Sequence, residues 1–211
     1  MNRNNLLLGI CALLLTSNLV GQSQPLQKPA SFKEGGMDGF DTFVDRNLHY
    51  PDSSDFHCKQ GTIFVRFVVN KNGKLENVCS INSVDGYLEQ EAERIVSLTS
   101  SMWQPAIIEG EIESQKVIVP IQFTLSRACS VRFVMARGLG NDLFKERKYN
   151  KAIEKYLIAY EFDPTDPIVV KNLGLSYFYK RKRKQACSLW TSNQLLSSDI
   201  VDLVDQYCTD R

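Results

Sequence analysis

The two histidines and six cysteines of this 211-residue chain are the side chains best suited to metal binding or nucleophilic catalysis. His57 and Cys58 are adjacent, so in extended chain they point to opposite faces and cannot hold one ion together, while His49 stands apart from them. The sequence contains no serine nucleophile elbow and no phosphate-binding glycine loop. Catalysis needs groups that converge. We therefore expect no enzyme, no catalytic or metal-binding residue, no cofactor and no small-molecule substrate.

The cysteines could instead be structural. Five of them follow the first 21 residues, an odd number, so at least one thiol stays unpaired or bonds another chain. They could form disulfides or simply be small buried hydrophobic residues. Among the disulfides, we favour Cys187 with Cys208, because neighbouring antiparallel helices could bring them together. We expect no bond between Cys58 and Cys79, because the hairpin described below separates them beyond the Cα limit of about 7 Å.

The charges give little indication of a nucleic-acid partner. The chain has 25 Lys+Arg and 24 Asp+Glu, so long-range attraction to nucleic acid or to an anionic membrane is not expected. The basic run 180–184 falls at a predicted turn between two helices and contains no aromatic residue. We interpret the run as a solvated turn, with an anionic lipid or an acidic protein partner as the alternative.

The first residues are typical of an export signal. Asn2–Asn4 precede an apolar run, Leu6–Leu15, and a polar stretch then leads to Gly21. We expect a signal peptide over residues 1–21, cleavage near Gln22 and a short tether over residues 22–28. The protein would then be exported to the periplasm. An uncleaved anchor, or lipidation at Cys11, would instead associate the chain with a membrane.

The next stretch predicts an α+β domain over residues 29–125. Apolar residues recur at helical spacing in two segments and alternate in three others, which favours two helices on a three-stranded antiparallel sheet. Asn72-Gly73 is a hairpin turn between the first two strands. It places Cys79 opposite about Arg66. The predicted elements are helix Asp38–Leu48, strand Thr62–Val69, strand Leu75–Val84, a helix containing Leu88, Ala92, Ile95 and Val96, and strand Ser114–Leu125.

The third strand carries the predicted binding site. Proline has no N–H to give to a ladder, so Pro120 marks an edge strand or a bulge. Backbone N–H groups two residues apart point the same way, so those of Ile118 and Gln122 should face the same open side. We predict that a partner adds a strand along this edge, formed by Ile118, Pro120, Gln122 and Thr124.

The remainder of the chain is helical and repetitive. A 34-residue period relates two copies, 133–166 and 167–200, and residues 198–208 would form a capping helix. Two repeats are fewer than the three usually needed for stability, so we expect them to pack on the first domain or on a partner. Gly138 and Gly140 are predicted to allow close helix packing. The matched pairs are Leu139 with Leu173, Gly140 with Gly174, Leu143 with Tyr177, Ala152 with Ala186, and Tyr156 with Trp190.

The first helices of the repeats offer a second candidate site. Arg137 and Asn141 are four residues apart and share a helix face, and Lys171 with Asn172 recur one period later. Such a groove could bind a carboxylate of a second protein. The alternative interpretation is that the four residues are ordinary solvated positions.

An ordered series of motifs relates the chain to a known family. Its features are Gly35-Gly36, Tyr50-Pro51, Gly61, Asn72-Gly73, Leu88, Glu91-Ala92, Trp103, Pro105, Gly110, Pro120 and Phe123. This series spans residues 29–125 and resembles the C-terminal domain of the TonB family. The resemblance implies binding, because members of the family bind a segment of an outer-membrane receptor. Full transducers also carry an uncleaved anchor and a long proline-rich spacer, in place of the signal and short tether predicted here.

The second unit, residues 131–208, resembles tetratricopeptide repeats, with Pro164 near the end of the first copy. The two resemblances together imply a non-enzymatic periplasmic adaptor. Its TonB-like domain would contact an outer-membrane receptor or another envelope protein, and its repeats would hold a second protein. The alternative is an energy-transducing component of outer-membrane transport.

Overall fold

The computed structural model describes residues 27–124 and 127–209. The predicted signal peptide, most of the tether and Leu125 lie outside the described residues. Among the helices that are described, none combines the length and the apolar character needed to span a membrane.

The first unit is a mixed α+β fold, which confirms the predicted class. Its largest sheet has three antiparallel strands in the order β3-β2-β7, and α1 and α3 cover one face of it. Two small antiparallel pairs, β1 with β4 and β5 with β6, complete the unit. Its elements are β1 (Ser31–Phe32), α1 (Gly36–Asn47), α2 (Asp52–Phe56), β2 (Gly61–Val69), β3 (Leu75–Ser80), α3 (Gly86–Leu98), β4 (Trp103–Gln104), β5 (Ala106–Ile108), β6 (Glu111–Glu113) and β7 (Gln115–Phe123).

Strict alternation of side chains builds the core of this unit. β2 pairs with β7 from Gly61 opposite Phe123 to Val69 opposite Gln115. Every second residue therefore points to the same face. Ile63, Val65 and Phe67 are fully buried against the two helices, as are Ile121 and Val119 opposite the first two, while Val117 opposite Phe67 is partly buried. The intervening side chains lie on the other face.

The return strand is shorter than predicted. Cys79 does lie opposite Arg66, but β3 ends at Ser80 rather than at Val84. The ladder is irregular between Arg66 and Val68, and Asn77 takes a positive φ of 55° there. Beyond Ser80, the side chain of Asn82 replaces the missing strand: its Oδ1 accepts the N–H of Phe64 at 2.7 Å.

The short elements α2, β1, β4, β5 and β6 are absent from the sequence-based prediction. α2 has five residues, β1 and β4 have two each, and β5 and β6 have three each, too few for hydrophobic periodicity to reveal. The turn between β5 and β6 uses Glu109 and Gly110, both at positive φ, the combination that a tight hairpin turn requires.

The second unit consists of antiparallel neighbouring helices. Asp166 caps the third of them by accepting the N–H of Val169 at 2.8 Å, and Pro167 occupies its first turn, where its missing N–H costs nothing. The helices are α4 (Arg127–Lys145), α5 (Tyr149–Phe162), α6 (Pro167–Tyr179), α7 (Arg183–Thr191) and α8 (Ser198–Tyr207), with a 3₁₀ turn at Gln194–Leu196.

Two glycines at equivalent positions let these helices approach closely. A β-carbon on Gly140 would lie 2.7 Å from the ring of Tyr156, and one on Gly174 would overlap the indole of Trp190. Both aromatic side chains are fully buried. The prediction for Gly140 is confirmed. The prediction for Gly138 is wrong, because no heavy atom lies within 4 Å of the position of its β-carbon.

Four of the five described cysteines form disulfides. Cys187 bonds Cys208 with a Cα separation of 5.5 Å, as predicted from antiparallel neighbouring helices. Cys58 does not bond Cys79 but bonds Cys129, 71 residues away, and Cys79 is free. The pairing of Cys58 with Cys129 was not predicted from the sequence, because it joins two units whose relative placement the sequence does not reveal.

The helical unit packs on the first unit, which is one of the two placements expected from the sequence. The Gln60 N–H donates to the carbonyl of Phe162 at 2.9 Å, and the Thr62 N–H donates to Thr165 Oγ1 at 2.7 Å. Gly61 lies between these bonds with φ at 149°, and a β-carbon there would lie 2.6 Å from Thr165 Oγ1. The start of β2 therefore fixes the position of the α5–α6 connection.

Candidate functional site

The outer edge of β7 has no strand beside it among the described residues, since β2 is the central strand of its sheet. The directions of the backbone hydrogen bonds of β2 show which backbone groups of β7 face outward. Phe64 accepts from Ile81 N–H and donates to Asn82, both on the β3 side. Thr62 donates to Thr165 and its carbonyl accepts from Asn82, again away from β7.

Phe64 and Thr62 lie opposite Pro120 and Gln122. Because these β2 residues direct their backbone bonds away from β7, the two pairs are of the non-hydrogen-bonded kind, and Pro120 and Gln122 direct their own backbone groups outward. Ile118, two residues before Pro120, points the same way. The edge thus offers N–H groups at Ile118 and Gln122, with Pro120 contributing a carbonyl only.

Of the four residues predicted for the edge, three lie within β7 and one lies beyond its end. Ile118, Pro120 and Gln122 lie in β7 with exposed side chains, whereas Thr124 lies beyond the last residue of the strand. The side chain of Gln122 accepts the Thr62 hydroxyl at 2.5 Å. The edge as the structure defines it therefore runs through the first three residues.

A cleft of about 720 Å³ lies over the half of this edge that contains Pro120 and Gln122. That volume falls within the range of about 300–1,000 Å³ found for ligand clefts. One side comes from α1 through Asp41, Val44 and Asp45. The remaining lining residues are Thr62 and Phe64 of β2, and Thr165, Pro167, Leu195 and Leu196 of the helical unit.

The connection that forms part of this cleft is held by a buried carboxylate. Asp163 accepts both the backbone N–H and the hydroxyl of Thr165, at 3.0 and 2.8 Å, and Thr165 in turn accepts from Thr62. Burial raises the pKa of Asp163, although its hydrogen bonds from Thr165 oppose that effect. The chain of bonds fixes Thr165 at the mouth of the cleft.

Of the four residues predicted for the helical groove, the structure brings two, Asn141 and Asn172, into direct contact, and Arg137 and Lys171 each pair with a separate aspartate. Asn141 Oδ1 accepts from Asn172 at 3.1 Å and from the Tyr156 hydroxyl at 2.8 Å. Burial raises the pKa of Tyr156 to about 12, so this hydroxyl remains a donor at neutral pH. Arg137 pairs with Asp166 at 2.7 Å and Lys171 with Asp199 at 2.5 Å. Each of the four predicted residues therefore has an internal partner that a ligand would have to displace.

The other residues singled out from the sequence have structural neighbours. His57 Nδ1 lies 2.7 Å from the Ser53 carbonyl, and Cys58 is in a disulfide. The basic run 180–184 spans the α6–α7 turn and the first turn of α7, as predicted. Within it, Lys182 lies over the ring of Tyr177, with its Nζ atom 5.8 Å from the ring centroid.

Sequence analysis missed the residues that flank the edge. Asp41 and Asp45 of α1 and Leu195 and Leu196 of the helical unit were not predicted to lie at a binding site. The periodicity of α1 indicates that the two aspartates share a side of the helix, but only the packing of the helical unit against the start of β2 brings Leu195 and Leu196 into the same cleft.

Residues 46–125 match the model of a family described as Gram-negative bacterial TonB protein C-terminal. No curated protein matches the chain. A solution structure of the Helicobacter pylori TonB-CTD matches at 15% identity and a TM-score of 0.36, covering 43% of this chain and 81% of that chain. The family match supports a TonB C-terminal domain within this part of the chain.

Proposed function

We propose that this chain is a non-enzymatic adaptor of the periplasm whose first unit binds a partner protein by strand addition along β7. The single observation that carries the proposal is the outward edge at Ile118, Pro120 and Gln122, which lies within the segment matching the TonB C-terminal family. The partner would be an outer-membrane receptor or another envelope protein.

Strand addition fits the chemistry of this edge. An incoming strand would bond the Ile118 and Gln122 N–H groups and the Pro120 carbonyl, and these main-chain bonds would supply affinity that does not depend on sequence. Pro120 removes one donor in the middle of the edge, which disfavours indiscriminate pairing with other strands. Specificity would then depend on the side chains around the edge.

The helical unit would hold a second protein as a pair of tetratricopeptide-like repeats. The equivalent packing of Gly140 on Tyr156 and of Gly174 on Trp190 supports a true repeat. The candidate groove around Arg137 and Lys171 would accept a carboxylate, if that carboxylate replaced Asp166 or Asp199 in the existing ion pairs.

The second candidate function is an energy-transducing component of outer-membrane transport, which the same family match supports. The two functions differ in the fate of residues 1–21. A soluble envelope protein beginning near Gln22 fits the adaptor, whereas an intact Met1 in the inner-membrane fraction fits the transducer. Fractionation followed by mass spectrometry of the N-terminus separates them.

The test of strand addition uses a photocrosslinking amino acid at Ile118, on the outer edge of β7, in cells that produce the protein. A matched probe at Glu76 lies on β3 at the opposite edge of the same sheet. We expect the Ile118 probe to crosslink an envelope protein through an extended segment that mass spectrometry can map. We expect the Glu76 probe not to capture that segment.

Two substitutions at one position then separate backbone from side chain. Gln122→Pro removes an outward N–H without breaking a backbone bond to β2, whereas Gln122→Ala keeps the N–H. Both variants lose the hydrogen bond that the Gln122 side chain accepts from the Thr62 hydroxyl. Crosslinking should be lost in the first variant and kept in the second. Strand addition at this edge is wrong if Gln122→Pro is folded by circular dichroism yet crosslinks as efficiently as the parent.

A further inference from the structure

The cleft over the β7 edge has walls on opposite faces of the sheet. Phe40 and Val44 of α1 pack in the core with Ile63 and Ile121, so α1 covers the buried face. The side chains of Thr62, Phe64 and Pro120 alternate with those core residues and so belong to the other face, which the helical unit approaches. The open edge of β7 lies between the two walls.

In this arrangement, neighbouring side chains of a bound strand contact different walls of the cleft. Successive side chains of a strand point to opposite faces of its sheet. A strand added to β7 would therefore direct one side chain toward α1 and the next toward the helical unit. Its sequence must satisfy the two walls in alternation.

The α1 wall is acidic. Asp41 and Asp45 are exposed, line the cleft and lie one helical turn apart, so both carboxylates are on the same side of α1. Neither forms an ion pair with another described residue. No lysine or arginine is among the described residues that line the cleft. A basic side chain on the bound strand would find two negative charges and no competing cation.

The opposite wall is mainly apolar. The helical unit contributes Leu195, Leu196 and Pro167, and β2 contributes Phe64 on the same face. Leu195 is 53% exposed, so about half of its side-chain surface is open to solvent. An apolar side chain on the bound strand would cover this leucine, which a polar one would leave in contact with water.

We propose, building on strand addition at β7, that the partner segment is an extended peptide in which a basic residue is followed or preceded directly by an apolar one. The basic side chain lies against Asp41 and Asp45, and its apolar neighbour lies against Leu195 and Leu196. The helical unit is then part of the binding site for the strand. It is not only a separate module for a second protein.

The test is selection of random peptides displayed on phage against the purified, disulfide-bonded protein. Selected peptides are then synthesised and their affinities measured by fluorescence anisotropy. We expect enriched sequences to pair a lysine or arginine with an adjacent apolar residue. Their affinity should fall about fivefold in the Asp41→Asn/Asp45→Asn double variant and should also fall as salt is raised.

Two control variants make the test specific. Glu34→Gln/Asp38→Asn removes two exposed charges, one just before α1 and one in its first turn, that do not line the cleft, and should leave affinity unchanged. Leu195→Ser should weaken peptides in proportion to the size of their apolar residue. Circular dichroism establishes that each variant is folded.

The outcomes distinguish this proposal from strand addition itself. Selected peptides that bind the parent and Gln122→Ala but fail to bind Gln122→Pro would support strand addition. If those same peptides show no preference for basic residues and no response to the Asp41→Asn/Asp45→Asn change, the proposed specificity is refuted and strand addition is left intact. Failure to select any peptide, or peptides that bind Gln122→Pro as well as they bind Gln122→Ala, would overturn both.

Discussion

Replacing Gly174 by alanine should destabilise the protein, although alanine is the better helix former. A β-carbon at this position of α6 would overlap the indole of Trp190, with Cδ1 at 2.9 Å and two further ring atoms closer. Trp190 is fully buried, so protein surrounds the ring and it cannot turn outward into solvent as an exposed side chain could. Overpacking a core in this way costs about 1–3 kcal/mol.

The net loss of stability is smaller than this, because alanine stabilises the helix relative to glycine. Alanine in place of glycine in a helix interior contributes about 1 kcal/mol. Since three indole atoms are affected, we take the upper part of the overpacking range and expect the free energy of unfolding to fall by about 1–2 kcal/mol.

Gly138 provides a matched control in α4. It is also in a helix interior, but no heavy atom lies within 4 Å of the position of its β-carbon. Gly138→Ala should therefore raise the free energy of unfolding by about 0.5–1 kcal/mol. The two identical substitutions should change stability in opposite directions.

The assay is urea unfolding followed by far-ultraviolet circular dichroism, with both disulfides intact and the slope of the transition compared between variants. Equal stability of Gly174→Ala and Gly138→Ala would refute the packing argument, as would a Gly138→Ala variant less stable than the parent.

Three further perturbations test other parts of the structure. Replacing both Cys58 and Cys129 by serine opens a loop of 71 residues, and calorimetry should show that the free energy of unfolding falls by up to about 4 kcal/mol. An unchanged unfolding transition would contradict a native disulfide at these positions. Burial alone would raise the pKa of Glu91, but hydrogen bonds from Arg94 and from the His49 N–H lower it overall. The ionised carboxylate therefore stabilises the fold above its ordinary pKa, and this stabilisation is lost on acidification, so Arg94→Ala should unfold at a higher pH than the parent. An acid-unfolding midpoint that does not shift would count against this pair. Burial raises the pKa of Asp163, so the ionised carboxylate lowers the stability of the fold above its ordinary pKa of about 4. The stability of Asp163→Asn should therefore rise relative to that of the parent as the pH is raised through that range. Urea midpoints of the two proteins that differ by the same amount at every pH would contradict this sign.

The long periodic elements of the first unit were predictable from the sequence. Alternation over Ile63, Val65 and Phe67 and the Asn72-Gly73 turn placed Cys79 opposite Arg66, as the structure has it. The end of the return strand was not predictable, because it depends on the irregularity near Asn77 and on the side chain of Asn82, which replaces strand pairing. These are local details that a hydrophobic pattern does not encode.

The outer edge of β7 was also partly predictable. Pro120 indicated an edge strand because proline lacks an N–H, and alternation then gave the outward positions of Ile118 and Gln122. The cleft was not predictable. Asp41 lies on α1 of the first unit, but Leu195 is brought to the cleft by contacts between units, and no local pattern records which surfaces of two units will meet.

Amide hydrogen exchange, resolved residue by residue by NMR, tests strand addition at β7 most directly. In the free protein, the Ile118 and Gln122 amides should exchange rapidly, while those of Val119 and Ile121, which face β2, should be protected. With the partner segment mapped by crosslinking bound, the account predicts strong slowing at Ile118 and Gln122 and little change at Val119 and Ile121. Unchanged exchange at Ile118 and Gln122 in a saturated complex would contradict it.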